Sequence, residues 1–135
     1  MRGKARQRSV QALYLFIAGG LGALSRWGLG GLAQRIGDTF PWGTLTVNVL
    51  GSLVLGFIMQ LGLSTDLIPQ EMRIAATVGF LGAFTTFSTF SFETARYLED
   101  GIWLTGLLNI AFNVLLCIAA ALLGMFLART VAGGA

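Results

Sequence analysis

The chain has no histidine, one cysteine and two prolines, and only 11% of its 135 residues carry charge. Each scarcity excludes something. Without histidine, and with Cys117 alone in an apolar run, neither a disulfide framework nor a His/Cys metal site forms within one chain. A soluble domain carries roughly 25% charged residues, so the composition points to a membrane protein. There is no nucleotide-binding glycine motif, no Ser-His-Asp set and no cluster of metal ligands. An ATP-driven pump or a zinc protease needs one of these, so passive movement is the more natural activity. The sequence pI near 9.8 raises nucleic acid as a partner. The basic residues form no folded basic face, however, and four of them (Arg2, Lys4, Arg6, Arg8) crowd the N-terminus.

What the chain does have is apolar length. It is 55% hydrophobic, holds nineteen glycines, and has a mean hydropathy of +0.76. Residues 1–11 read as a basic polar tail, either the charged region of a cleaved signal or, better, a cytoplasmic anchor for the first span. Residues 12–129 form one transmembrane domain, and 130–135 a short C-terminal tail. The first apolar segment runs over about 12–32, with Gly19, Gly22 and Ser25 on one side, a small face suited to close helix approach. The second runs over about 44–63, behind an interfacial Trp42. The third runs over about 71–98, longer than the ~20 residues a bilayer needs, which predicts tilt, overhang or a break. The fourth runs over about 102–127. This is an all-α membrane protein with four transmembrane helices and short loops. Four helices bury little surface alone, which favours a homodimer. An even count puts both termini on one side. That side carries Arg2, Lys4, Arg6, Arg8, Arg73 and Arg129, against Arg35, Arg96 and Arg26 opposite, so the termini face the cytoplasm, mostly on the strength of the tail.

Polar residues at membrane depth are the functional signal. Thr44, Asn48 and Ser52 share one face of the second helix, and Thr105, Asn109, Asn113 and Cys117 one face of the fourth. The third segment contains Gly79-Phe80-Leu81-Gly82-Ala83-Phe84-Thr85-Thr86-Phe87-Ser88-Thr89-Phe90-Ser91. Glycine weakens a helix, Thr and Ser compete for its backbone bonds, and a break over Gly79–Thr86 is expected there. Such backbone survives in a membrane only when buried in protein or lining a cavity, and its carbonyls are then free to hold a cation. The amides serve either interhelical bonding or a pore; neutral donors suit a small anion, whose hydration they replace without trapping it. Phe87 and Phe90 either pack against lipid and neighbouring helices or turn their positive ring edges to an anion. Arg26 either snorkels to the headgroups or draws anions into a vestibule. Glu93 is the single acidic group inside a segment; it is either half of an interfacial pair with Arg96 or a proton-coupling carboxylate.

The third-segment run from Gly79 to Ser91, with Glu93, resembles the third helix of the Fluc (CrcB) fluoride channels. Trp42-Gly43-Thr44-Leu45-Thr46-Val47-Asn48 resembles that family's second helix, and Gly22-Ala23-Leu24-Ser25-Arg26-Trp27 its first. The resemblance implies an antiparallel, dual-topology homodimer in a bacterial inner membrane, with two fluoride pores and a broken third helix. It implies that Phe87 and Phe90 contact fluoride and that Asn48 lines the pore. Ser88, Thr89, Glu93 and Asn113 fall on the polar pathway and Arg26 at the vestibule. Backbone carbonyls of Gly82 and Thr85 would hold a structural sodium ion on the dimer axis. The fourth helix departs from the pattern: Asn113 stands where Ser or another polar residue is usual, and Asn109 where Tyr can occur. The basic tail departs too, and admits a heterodimer with an oppositely inserted partner. The function implied is passive fluoride efflux that relieves toxicity, with no enzymatic activity. Against it stand a small proton-coupled four-helix multidrug exporter and a non-transporting membrane subunit.

Overall fold

A computed structural model describes residues 2–133 of the chain, with side chains from residue 7 onward. Met1, the side chains of Arg2, Lys4 and Arg6, and Gly134 and Ala135 of the C-terminal tail lie outside the described residues. Among those described, all regular structure is helical. Four helical stretches, Gln7–Gln34, Trp42–Ser64, Gln70–Glu99 and Trp103–Gly133, are long and apolar enough to cross a membrane.

Helix α1 runs unbroken over Arg2–Gln34, so the basic stretch is wound as the first turns of the first span. It ends at Gln34, whose side chain satisfies the turn that follows. Its Nε2 donates to the Gly37 and Phe40 carbonyls, and its Oε1 accepts from Gly43 N–H. Helix α2 spans Trp42–Ser64 and opens just after Pro41, which cannot donate a backbone hydrogen bond. The third span starts as α3, Gln70–Ile74, and continues as a π-helical segment, Ala75–Leu81. One further turn, α4 (Gly82–Phe84), is followed by two residues at extended angles. These are Thr85 (φ −84°, ψ 160°) and Thr86 (φ −150°, ψ 108°). Helix α5, Phe87–Glu99, follows, then Gly101 in the left-handed region (φ 76°), then α6, Trp103–Gly133.

The spans pair in two parallel couples. Helix α1 runs alongside the third span, from Gln7 Nε2 donating to Glu71 Oε1 at one end to Arg26 beside Thr85 further along. Helices α2 and α6 run together from Asn48–Asn113 to Gln60–Arg129. Both couples depend on glycine at the closest approach. A Cβ at Gly22 would stand 2.2 Å from the Phe80 carbonyl oxygen, and one at Gly124 only 2.1 Å from that of Leu53. Only a bare backbone fits at those two crossings, as expected where helices associate in lipid by van der Waals contact. The small face of α1 is thus where the third span packs. The buried apolar centre is Val47, Leu81 and Phe84, backed by Leu29, Ile58 and Phe80. Elsewhere large apolar side chains point outward, Phe16 and Trp27 at about 80% exposure. In water that surface would be a liability; in a bilayer it faces hydrocarbon.

Candidate functional site

The site is organised by what the Asn48 amide does to the third span. Its Oδ1 accepts from Thr86 N–H at 2.8 Å, and its Nδ2 donates to Thr86 C=O at 3.2 Å. A side chain on α2 thereby grips both main-chain groups of one residue, as a neighbouring strand would. The grip accounts for the extended angles. In a continuous helix Thr86 N–H would close on the Gly82 carbonyl, but here it goes to Asn48. Thr89 N–H, which would close on the Thr85 carbonyl, goes instead to Thr86 Oγ1 at 3.2 Å. Thr86 is therefore the N-cap of α5, its hydroxyl also donating to Thr89 Oγ1 at 2.9 Å and lying 3.3 Å from Ser88 Oγ. Gly51 makes room for this link, since a Cβ there would meet Thr85 Cγ2 at 2.2 Å. Gly82, expected at the departure from helix, has helical angles (φ −63°, ψ −33°).

Beside this link lies a groove of about 420 Å³. Asn48 and Ser52 from α2, Gly82 and Thr85 from the third span, Phe87 and Phe90 from α5, and Asn113 and Cys117 from α6 all border it. Six of the residues singled out from sequence (Asn48, Gly82, Thr85, Phe87, Phe90 and Asn113) are thus brought together. The Phe87 and Phe90 rings lie 5.4 Å apart at 55° to one another. They are unequal: Phe90 is buried at 8% exposure, whereas Phe87, at 78%, is open on its outer side. Asn48 reaches Asn113 directly, Nδ2 donating to Oδ1 at 3.0 Å. Every polar side chain on the rim is formally neutral.

Four expected residues lie off the groove. Ser88 and Thr89 are exposed and belong to the Thr86 cap. Arg26 is half-buried, its Nη1 donating to the Thr85 carbonyl at 3.4 Å. Glu93 corrects an expectation. Its partner is Thr44, whose hydroxyl donates to Oε1 at 2.8 Å, and its Oε2 is buried without a hydrogen-bond partner. Arg96 pairs instead with Glu99 at 3.3 Å and Asp100 at 3.4 Å, one turn further on and exposed. The sequence reading passed over Thr86 as anchor and cap, and Thr94 as the partner of Asn109. A threonine three residues before another at the start of a helical run was the available signal for Thr86; Thr94 offered none beyond its polarity.

The freed carbonyls bear on a cation. Gly82 and Thr85 each have a carbonyl whose helical donor has been diverted, and hard cations take such neutral oxygens. Among the described residues no group of three or more His, Cys, Asp or Glu competes for that role. The Thr85 carbonyl accepts from the Arg26 guanidinium at 3.4 Å.

The chain is thus a four-span helical protein with a groove of neutral side chains beside the extended residues Thr85 and Thr86. A family model described as CrcB-like protein, Camphor Resistance (CrcB), matches residues 13–125. The chain belongs to this CrcB family. It is 51% identical over 122 residues to the fluoride-specific ion channel FluC of Geobacter metallireducens, covering 90% of this chain and 97% of that one. It is 49% identical over 118 residues to the protein of the same description from Syntrophotalea carbinolica, covering 87% and 96%. Against that of Dehalococcoides mccartyi it is 48% identical over 118 residues, covering 87% and 91%.

Proposed function

We propose that this protein is a fluoride channel, not an enzyme, that lets fluoride leave a bacterial cytoplasm passively across the inner membrane. The observation that carries the reading is the Asn48 grip on Thr86. It places two amides and two phenyl rings on one groove without a fixed charge. A small, strongly hydrated anion gives up its water only where donors replace it. Phe87 and Phe90 supply positive ring edges. The N–H groups of Asn48 and Asn113 are held by Thr86, Asn113 and Asn109, and one would have to turn from its partner to the passing anion. With no fixed cation in the groove, the anion is not held so tightly that it stalls. By the family resemblance Ser88, Thr89 and Glu93, though off the groove, would extend the polar path, and Arg26 would stand near its mouth.

The working unit in this reading is an antiparallel dual-topology homodimer, or a heterodimer with an oppositely inserted partner. The groove is open on one side, where Phe87 is exposed, and a second subunit closes it. The Thr85–Thr86 link acts as the break of the third helix. Gly82 and Thr85 carbonyls from the two subunits would hold a structural sodium ion on the shared axis. That ion supplies cross-subunit attraction for carbonyls left without helical donors.

A proton-coupled multidrug exporter requires a carboxylate in the transport groove. Glu93 lies off the groove, tied to Thr44, and this favours the channel. Purified protein in liposomes loaded with fluoride separates the readings. The channel empties them without a proton gradient, the exporter carries organic cations only with one, and a non-transporting subunit moves neither.

A further inference from the structure

Asn109 is completely buried on α6, a turn from Asn113, and does not border the groove. A buried amide away from the transport path usually holds two helices together. Here its partners suggest more. Following each bond from donor to acceptor, Thr86 N–H donates to Asn48 Oδ1 (2.8 Å) and Asn48 Nδ2 to Asn113 Oδ1 (3.0 Å). Asn113 Nδ2 donates to Asn109 Oδ1 (2.9 Å), Asn109 Nδ2 to Thr94 Oγ1 (2.9 Å), and Thr94 Oγ1 to the Phe90 carbonyl (2.8 Å). Five bonds run head to tail through three helices and return to α5, where they began.

The Thr86 end determines the direction of the whole chain. A main-chain N–H can only donate and a carbonyl can only accept, whereas each amide between them has two orientations related by a flip. With Thr86 N–H at one end and Phe90 C=O at the other, one set of orientations satisfies every member. Flipping Asn48 or Asn113 sets donor against donor or acceptor against acceptor on both sides, at a depth where no water compensates. A flipped Asn109 clashes only with Asn113, since the Thr94 hydroxyl can donate or accept. Asn113 Nδ2 has a second hold, on the main-chain carbonyl of Asn109 at 3.1 Å. Its Oδ1 has none beyond Asn48.

We propose that Asn109, backed by Thr94, is a positioning residue of the anion pathway: its Oδ1 takes an N–H of Asn113 and holds that amide against the groove. The proposal rests on the reading of the protein as a fluoride channel. Asn109 never touches the anion; it holds the amide of Asn113, whose Oδ1 in turn meets Asn48.

The test is a double-mutant cycle on fluoride flux in liposomes. Asn109→Leu, which removes the amide at similar volume, is expected to slow flux about tenfold, the effect of one lost buried hydrogen bond. In an Asn113→Ala background, already slowed, the same change is expected to alter flux less than about twofold, because the residue it acts through is gone. Thr94→Val, a milder change that leaves Asn109 in place, is expected to slow flux in the same direction. Equal factors in both backgrounds, or undiminished flux in Asn109→Leu, overturn the proposal. A second readout does not depend on transport. The side-chain amide resonances of Asn113, one residue removed from Thr94, shift in Asn109→Leu and in Thr94→Val. Unmoved Asn113 resonances in both variants refute the hold even if the protein carries no fluoride at all, whereas wild-type protein that moves no fluoride defeats the functional reading alone.

Discussion

Replacing Asn48 by leucine keeps the volume of the side chain and removes all three of its hydrogen bonds: two to Thr86 and one to Asn113. The variant leaves Thr86 N–H and Asn113 Oδ1 without partners in a protein interior surrounded by lipid. An unsatisfied buried group costs about 1–3 kcal/mol, giving about 2–6 kcal/mol in all. Side-chain bonds measured within membranes average nearer 0.6 kcal/mol, so three of them set a lower bound of about 2 kcal/mol. With Asn48 gone, Thr86 N–H is free to close on Gly82 and restore a continuous helix, which turns Phe87 and Phe90 away from the groove. If 2 kcal/mol shifts the balance between gripped and closed forms, the productive fraction falls about 30-fold. Fluoride efflux from liposomes is therefore expected to fall at least that far in Asn48→Leu. Thr86→Val serves as the control. It removes the cap of α5 but leaves the main-chain groups that Asn48 holds, at a cost of about 1 kcal/mol, so flux falls only about fivefold. Flux within threefold of wild type in Asn48→Leu, or a larger loss in Thr86→Val, would refute the grip as the organising contact.

Three further outcomes follow from the same geometry. Phe87→Ile and Phe90→Ile each remove a ring at the groove, and fluoride flux is expected to fall at least tenfold with an unchanged elution volume; undiminished flux in both removes the ring-edge contribution. Gly124→Val places a branched side chain where a bare Cβ already stands 2.1 Å from the Leu53 carbonyl oxygen, which costs about 1–3 kcal/mol of overpacking and should lower the thermal unfolding midpoint in detergent. Exchange of sodium for N-methylglucamine should lower the unfolding midpoint of the dimer, because carbonyls of Gly82 and Thr85 lose their cation; a midpoint indifferent to the exchange would count against the sodium site.

Length and hydropathy made four spans legible, because a bilayer demands about twenty apolar residues wherever the chain crosses it. The Asn48 and Asn113 stripes were legible for a related reason, since an amide amid leucines has few places to go. What the sequence concealed were contacts made between elements. Glu93 was paired on paper with Arg96, three residues on, but α2 brings Thr44 close enough to take it. A departure from helix was expected over Gly79–Thr86, where glycine and hydroxyl residues together weaken helical bonding. It falls at Thr85 and Thr86, whose φ values are open to any residue, because the agent is an amide on another helix. Likewise, nothing local marks Thr94 as the partner of Asn109, fifteen positions away. Propensity reads one element at a time, whereas this site is set by what neighbouring helices offer one another.

The most direct test of the central claim is fluoride release from liposomes loaded with potassium fluoride and containing the purified wild-type protein. Valinomycin carries the compensating potassium, and internal and external pH are equal. The account predicts rapid release of fluoride without any proton gradient, and none of chloride under the same conditions. Retention of fluoride, or release that waits for a proton gradient, would contradict it.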